Sequence, residues 1–275
     1  MAYEAAVTRS RLLVGVVALG LLTTAVAAAD LQPQTITAFD RYVRATEAQM
    51  VPDPFLRIDG FPDVERRAKL AELRREELYI ERLATQEAGK PIDVPGGLIH
   101  HWLGIAFVPG ANLGQALRLM QDYDHHAEIY RPAIERSKLV SRHGDTFRVD
   151  LRFYMKKVIT VVVNTENEAR FTRLHPDRAQ SRIYSLRIAE VAEPGTPQER
   201  ERPVGHDGGY LWRLYTYWRF QERDGGTYVQ CEAISLTQSI PFALGWLIGP
   251  FVTSIPRDSL AFTLETTRRT LANQR

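Results

Sequence analysis

A long succession of period-two segments restricts the fold of this chain more than any other feature. In one of them, Phe147, Val149, Leu151 and Phe153 alternate with charged and polar residues. This alternation predicts a β-strand with one buried and one exposed face. Similar segments follow almost to residue 236, and the last two are separated by the sequence DGG at 224–226, which suits a hairpin. The series predicts a meandering antiparallel sheet.

One of these segments, YLWRLYTYWRF at 210–220, is unusually rich in aromatic residues. Period two places an apolar set on one side, namely Tyr210, Trp212, Leu214, Thr216, Trp218 and Phe220. The other side mixes arginine with tyrosine, namely Leu211, Arg213, Tyr215, Tyr217, Arg219 and Gln221. Such a strand could stack nucleic-acid bases, or it could wrap around a hydrophobic interior.

Composition favours the second interpretation. The 275 residues include 35 basic and 33 acidic side chains, and the net charge of +2 supplies little of the attraction that drives nucleic-acid binding. Hydrophobic residues make up 44% of the chain, enough for a sizeable core. Cys231 is the only cysteine, which excludes an intrachain disulfide and a thiol-rich zinc site. Its place in a β-patterned segment predicts a buried, unreactive thiol.

The N-terminus has the form of an export signal. Arg9 and Arg11 precede the apolar segment LLVGVVALGLLTTAVAAAD, and Ala27 and Ala29 occupy suitable positions for cleavage before Asp30. We therefore expect residues 1–29 to be a cleavable signal peptide and the protein to be exported to the periplasm or the cell exterior. A retained N-terminal membrane anchor is the alternative, because the apolar segment is close to the length that spans a bilayer.

Residues 30–95 are predicted to form a helical extension and a linker. A short helix carries Phe39 and Tyr42 at helical spacing, and a charged helix is predicted from Asp63, as N-cap, to Ala88, before Gly89. Its narrow apolar stripe comprises Leu70, Leu73, Ile80 and Leu83. The second domain, residues 96–275, begins with a strand, continues with a helix capped by Asn112, and ends in a long helical segment after the sheet.

This order of elements resembles the START-like superfamily, the helix-grip fold that includes polyketide cyclases and coenzyme Q-binding proteins. The likeness rests on LMQDYDHHAEIYRPAIERSKLV at 119–140 and on YWRFQERDGGTYVQCEAISL at 217–236, which an IP pair follows. It extends from about Leu98 to Leu271. The resemblance implies an α+β fold, in which a curved antiparallel sheet grips the C-terminal helix around an elongated, mostly apolar cavity.

The resemblance also implies that aromatic side chains line this cavity. The predicted ligand-binding residues are Trp212, Trp218, Phe220, Trp246, Phe251, Tyr154 and His206. His206 lies in a glycine-rich loop, and it or Tyr154 could serve as an acid–base group if the protein were an enzyme. Most of the charged residues in the β-patterned segments are expected to form cross-strand pairs on the exposed face, the set being Arg182, Arg187, Glu190, Glu199, Arg213 and Arg219.

Other chemistry has little support in the sequence. The adjacent pairs His100–His101 and His125–His126 do not place two histidines on one face, as a zinc site requires, so no metal is predicted. The sequence carries no GxSxG, GxGxxG or P-loop pattern, and no cofactor is predicted.

These features together predict an exported START-like protein that binds a lipid or another hydrophobic small molecule without changing it. The first alternative is a cyclase or hydrolase that uses the same cavity. The second is an envelope interaction module in which GWLIGPF at 245–251 makes transient contact with a membrane or docks on a partner. Export and near-zero net charge both oppose a nucleic-acid partner.

Overall fold

The computed structural model describes residues 29–51, 53–156, 160–239 and 245–274, with the backbone alone at 245–253. The described helices are α1 (Pro33–Gln49), α2 (Asp63–Arg74), α3 (Leu113–Gln121), α4 (His126–Ile129) and α5 (Gly245–Asn273). The described strands are β1 (Ala29–Asp30), β2 (Tyr79–Arg82), β3 (Gln86–Glu87), β4 (Lys90–Pro91), β5 (Gly97–Pro109), β6 (Ile134–His143), β7 (Thr146–Lys156), β8 (Thr160–His175), β9 (Arg178–Ala192), β10 (Arg200–Glu201), β11 (His206–Asp207), β12 (Arg213–Arg223) and β13 (Gly226–Gln238). Short 3₁₀ turns lie at Arg57–Gly60 and Tyr123–His125.

The large sheet is antiparallel, with the strand order β2-β5-β13-β12-β9-β8-β7-β6, and β10 pairs with β9. Strands β6 to β9 follow one another as neighbours, which confirms the predicted meander. The predicted hairpin between β12 and β13 is also confirmed, since Arg223 pairs with Gly226. Its two turn residues, Asp224 and Gly225, both have positive φ angles, of 57° and 74°. Such a two-residue turn matches the twist of the strands that it joins.

The main core lies between the sheet and two helices, α3 and α5. We call this side of the sheet the helix face. Leu260, Leu264 and Leu271 of α5 contribute to the core, and Cys231 is buried there at 2% exposure, as predicted. Helix α5 approaches β5 so closely at Gly104 that a Cβ atom at this position would lie 2.6 Å from Leu264 Cδ1. A long C-terminal helix held against an antiparallel sheet is the predicted α+β helix-grip architecture.

Residues 30–95 cover the opposite side of the sheet, which we call the outer face. Phe39, Tyr42 and Val43 of α1 pack with Ile234 and Leu236. A second cluster joins segment 55–58 and Leu73 of α2 to the outer face, at Leu103, Ile105, Phe107 and Tyr228. The extension is therefore part of the folded unit, with β2 as an edge strand of the large sheet.

Helix α2 is shorter than the sequence predicts. It ends at Arg74, two residues before Glu76, whose φ angle is 66°, so the predicted stop at Gly89 is wrong. Asp63 is the first helical residue, and Pro62 stands at the N-cap position without a side-chain hydrogen bond. The charged segment continues as β2, because pairing with β5 and packing of Tyr79 against the outer-face cluster override the local helix propensity.

The signal segment is predicted at residues 1–29, of which residues 1–28 lie outside the described residues. Ala29, which precedes the predicted cleavage position, is buried at 2% exposure and pairs with Asp207 in the small sheet of β1 and β11. Within the part of the chain that the structure describes, no helix combines the length and apolar character needed to cross a bilayer.

Candidate ligand-binding face

Two of the predicted aromatic residues lie on the helix face. The rings of Trp218 and Phe220 are parallel, with an interplanar angle of 3° and centroids 6.1 Å apart. Both belong to the main core, at 5% and 0% exposure. They therefore support the floor of the helix face by packing, and little of either ring is open to a ligand. Trp246 and Phe251 lie in the first half of α5, where only the backbone is described.

The helix face continues past this core toward the end of the sheet from which α5 starts. The pairing register of the strands shows which side chains lie on the helix face in this region, because residues directly opposite each other in neighbouring strands share a face. Six apolar side chains of this region remain half-buried, namely Trp102, Leu151, Phe153, Met155, Ile183 and Leu214. They form an apolar surface that the described part of the protein covers only in part.

A loop closes the far end of this surface. Tyr210 and Leu211 pack against a small buried cluster formed by Val161, Val163 and Ile188. Glu190 fixes the loop, because its carboxylate accepts hydrogen bonds from the Gly208 backbone N–H at 2.7 Å and from Arg202 Nε at 3.0 Å. Burial raises the pKa of Glu190 above its ordinary value.

Small polar residues of β8 and β9 also lie on the helix face. Asn167 donates to Thr165 Oγ1 at 2.8 Å, and the Ser185 hydroxyl accepts from the Leu214 backbone N–H at 3.0 Å. These groups are satisfied within the protein. The Ser181 hydroxyl, at 2% residue exposure, has no hydrogen-bond partner among the described residues. A buried polar atom without a partner costs free energy, so Ser181 has bonding capacity to offer a ligand.

His100 is the one histidine that the described residues place in this region of the helix face. Its Nε2 lies 3.1 Å from Thr237 Oγ1, and that hydroxyl donates to the Gln238 carbonyl. His100 Nε2–H is therefore the donor, which leaves Nδ1 as an acceptor with no partner among the described residues. Burial, followed by the positive charge of Arg82, lowers the pKa of His100 to about 4, so the ring is neutral at pH 7.

The sequence prediction did not include Ser181 or His100 among the ligand-binding residues. His100, Trp102 and Gly104 are spaced two residues apart, and this spacing places all three on one face of the strand. The other set of this strand, Ile99, Leu103, Ile105 and Phe107, faces the N-terminal extension. Ser181 sits among ordinary strand residues, and no local signal distinguishes it.

Trp212 and His206 do not lie on the helix face. Trp212 precedes β12 and packs with α1, and its Nε1–H donates to Asp207 Oδ1 at 3.0 Å. The predicted alternation is therefore wrong for Trp212, because the strand begins only at residue 213. His206 is exposed in β11, with Nδ1 2.6 Å from Asp30 Oδ1.

Tyr154 also lies on the outer side of the sheet. It shares the even-numbered face of β7 with Arg152, whose guanidinium binds Glu199 and Glu135 there. The Tyr154 backbone N–H donates to the Ala133 carbonyl at 2.9 Å. Since the odd-numbered residues of β7 face the core, an acid–base role for Tyr154 on the helix face is excluded by register.

The neighbouring histidines His125 and His126 have separate structural roles. His125 is exposed, with Nδ1 2.7 Å from Asp122 Oδ1. His126 is buried, its Nε2–H donates to the Leu119 carbonyl at 3.1 Å, and burial lowers its pKa. Within the described ranges, no three His, Cys, Asp or Glu side chains come together as metal ligands would.

A separate cleft of about 510 Å³ lies at the edge of β5, beside the N-terminal extension. Tyr42 lines it and begins a buried chain of hydrogen bonds. The Thr85 N–H donates to the Tyr42 hydroxyl at 2.8 Å, and that hydroxyl lies 2.9 Å from His101 Nδ1. His101 Nε2 lies 2.8 Å from Glu232 Oε1. Because every member of this chain has a partner, we assign it to holding α1 against the sheet.

No protein-family model matches the sequence, and no curated protein matches it. Among solved structures, the chain is similar to a STAR-related lipid transfer protein from Xanthomonas axonopodis, at 14% identity and a TM-score of 0.44, covering 69% of this chain and 98% of that one. It is also similar to the Zhui aromatase/cyclase from a Streptomyces species, at 12% identity and a TM-score of 0.40, covering 63% and 94%. A START superfamily protein from Mycobacterium smegmatis gives 9% identity, a TM-score of 0.40, and coverage of 65% and 99%.

Proposed function

We propose that this protein binds a lipid or another hydrophobic small molecule between the helix face of the sheet and the first half of α5, without changing it chemically. The observation that carries the proposal is the apolar surface on this face. Its six half-buried side chains are Trp102, Leu151, Phe153, Met155, Ile183 and Leu214. Each 100 Å² of apolar surface that a ligand removes from water there contributes roughly 2.5 kcal/mol. An apolar surface with few polar groups is typical of sites for hydrophobic ligands.

Two polar atoms can orient such a ligand. The Ser181 hydroxyl can donate a hydrogen bond, and neutral His100 can accept one at Nδ1. The remaining polar side chains described above are bonded to the protein itself. A molecule with a long apolar body and one hydroxyl or carbonyl group fits this distribution.

The alternative is a cyclase or hydrolase that uses His100. His100 is a better candidate for this role than His206 or Tyr154, because it is the only one of the three that lies on the helix face. However, the neutral His100 ring is a weak general base, because its conjugate acid has a pKa of about 4. In addition, no described carboxylate is hydrogen-bonded to His100. The similar structures include both a lipid transfer protein and an aromatase/cyclase, so the likeness does not choose between the two.

The binding proposal is tested with an environment-sensitive fluorescent fatty acid such as cis-parinaric acid. Ile183→Asn places an amide on the apolar surface, and we expect Kd to rise about tenfold, or about 1.4 kcal/mol. Leu186→Asn, three residues further along the same strand at a side chain 46% exposed, is the matched control and should bind like the wild type. Equal affinities of the two variants, both folded by circular dichroism, would contradict the proposed site.

Catalysis is tested on the molecule that co-purifies with the protein. Native mass spectrometry followed by organic extraction gives its mass before and after prolonged incubation with fresh protein. We expect the mass to stay unchanged in the wild type and in His100→Gln. A product that forms with the wild type and is absent with His100→Gln would favour the enzyme.

We further propose that the protein is exported, with residues 1–29 as a cleavable signal. The support for this is the charge and apolar pattern of the segment. Cell fractionation and N-terminal sequencing check it, and a mature chain that begins at Asp30 in the periplasm or medium is expected. An intact N-terminus in the membrane fraction would instead support the anchor.

A further inference from the structure

Three arginines are neighbours on the outer face of the sheet. Arg170 of β8 is directly opposite Arg182 of β9. Arg219 of β12 is opposite Gln180, one step diagonally from Arg182. Side chains directly opposite each other have Cβ atoms roughly 4.5–5.5 Å apart, and like charges at such positions destabilise a sheet. We call these three residues the arginine cluster.

Among the described residues, no carboxylate forms a direct ion pair with the arginine cluster. Arg170 contacts only the Thr146 hydroxyl, at a long 3.4 Å, and Arg219 donates to the Phe55 carbonyl at 2.6 Å. Arg182 makes no hydrogen bond or ion pair in the described part of the chain. Arg182 and Arg219 are therefore exceptions to the cross-strand pairing that the sequence predicts for most of these charged residues.

Carboxylates close to the cluster are already engaged. Glu168, two residues before Arg170, pairs with Arg148 at 3.2 Å. Glu232 is hydrogen-bonded to His101. Other arginines of the strands do have partners, as Arg187 has in Glu201 and Glu166. Within the described ranges, Arg213 of β12 also lacks an ion pair and donates only to the Trp212 carbonyl, so what distinguishes the cluster is that three arginines without an ion pair are neighbours.

Arg219 is the deepest of the three. It is half-buried under the N-terminal extension, with its guanidinium carbon 5.5 Å from the centre of the Phe55 ring. Burial lowers the pKa of Arg219, the Glu232 carboxylate offsets part of this effect, and the neighbouring charge of Arg182 lowers the pKa further. Burying a cation without a paired anion is unfavourable, so an anion from outside the chain would relieve both the burial cost and the repulsion.

We propose that Arg170, Arg182 and Arg219 bind a phosphate-type oxyanion on the outer face. Guanidinium groups suit this chemistry, because each offers two parallel N–H donors to a tetrahedral oxyanion. Arg170 and Arg182 are exposed and can reach an anion in solvent, while Arg219 supplies charge from beneath. The site lies on the opposite side of the sheet from the proposed hydrophobic site and is independent of it. The phosphate can belong to a soluble molecule or to a lipid headgroup.

The first experiment measures thermal unfolding of the full protein with inorganic phosphate and with sodium chloride at matched ionic strength. We expect phosphate to stabilise the wild type, and Arg182→Gln to weaken the apparent phosphate affinity about tenfold, as loss of a charge-assisted hydrogen-bonding partner does. In chloride, Arg182→Gln should unfold at a temperature no lower than the wild type, because like-charge repulsion is removed.

The matched control is Arg200→Gln, since Arg200 is exposed and paired with Glu193. Phosphate also stabilises proteins without binding them, because it is excluded from their surfaces, and this effect should be the same in every variant. Only a difference in phosphate stabilisation between variants therefore reports binding. If Arg182→Gln and Arg200→Gln respond to phosphate exactly as the wild type does, the proposal is overturned.

A second measurement identifies the source of the phosphate. Flotation with phosphatidylglycerol vesicles, compared with phosphatidylcholine vesicles, tests a lipid headgroup. Binding to the anionic vesicles that Arg182→Gln reduces and Arg200→Gln retains supports the headgroup. Arg182-dependent stabilisation by inorganic phosphate without vesicle binding supports a soluble ligand. Failure of both overturns the oxyanion site, whatever the outcome of the fatty-acid experiment.

Discussion

His100 shows how strongly its surroundings determine what a single residue can do. The ring is held on the helix face by Thr237, and it is buried at 2% exposure. Its neighbour in sequence, His101, points to the outer face and links Tyr42 to Glu232. Two adjacent histidines therefore serve opposite sides of one strand, the first beside the proposed ligand and the second in the attachment of α1.

The pH dependence of stability should reveal His100. Its folded-state pKa of about 4 lies below the ordinary value of 6.5, so folding favours the neutral ring. The stability that this contributes is fully present above pH 6.5 and is lost as the pH falls toward 4, by up to about 3 kcal/mol. Urea unfolding at pH 7.5 and pH 4.5 should therefore show a smaller acid loss for His100→Gln than for the wild type.

The exposed His175 provides the control for this measurement. His175→Gln should keep the full acid sensitivity of the wild type. An identical loss of stability in His100→Gln and the wild type would show that His100 is not buried in the way described.

At the scale of elements, the contact between α5 and β5 determines how the helix sits on the sheet. Gly104 leaves room for Leu264, and an added Cβ would lie 2.6 Å from Leu264 Cδ1 and 3.2 Å from Leu260 Cδ2. Leu264 is fully buried, so it has little freedom to move away. Because α5 continues from this contact toward the proposed site, its position on Gly104 also positions the first half of the helix.

A double-mutant cycle checks this contact. Gly104→Ala should destabilise the protein by about 1–3 kcal/mol through overpacking, and Leu264→Ala by about 2–5 kcal/mol through loss of buried methyl groups. The double variant should lose less than the sum, since the shortened side chain makes room for the new Cβ. Chemical denaturation measures all four proteins.

Leu271 provides the comparison, because it lies in the same core two turns further along α5. Gly104→Ala combined with Leu271→Ala should be additive. Additivity in both cycles would contradict the proposed close contact at Gly104.

At the scale of the whole molecule, the sheet is covered on both sides. Helices α3 and α5 cover the helix face, and the extension of residues 30–95 covers much of the outer face. Residues such as Ile105, Tyr228 and Ile234 have 0% exposure because of this cover. The sequence analysis treats residues 30–95 and 96–275 as separate regions. Because the extension buries the outer face of the sheet, we predict that the two regions fold together.

Removal of the extension tests this prediction. A chain of residues 96–275 should be insoluble or aggregated, because it exposes a contiguous apolar patch on the outer face. Size-exclusion chromatography beside the chain of residues 30–275 provides the comparison. A monomeric 96–275 chain that unfolds cooperatively would show that the extension is dispensable for folding.

Local features of the structure could be predicted from the sequence because neighbouring residues determine them. The β12–β13 turn needs two positive φ angles, which Asp224 and Gly225 accept. The N-cap of α3 at Asn112 forms the predicted side-chain hydrogen bond and completes a capping box with Gln115. Period-two alternation likewise predicted the strands, because backbone geometry alone places alternate side chains on opposite faces.

The position of each face, and hence the candidate site, was decided only by tertiary structure. Alternation groups His100 with Trp102, but only pairing with β13 and packing under α5 place that group on the helix face. Ile80 fitted a helical stripe, yet pairing with Gly104, distant in sequence, makes it part of β2. The arginine cluster likewise exists because three strands bring residues 170, 182 and 219 together. Contacts between distant residues leave no mark on local periodicity, so the sequence by itself determined the elements and the fold class, and their packing determined the sites.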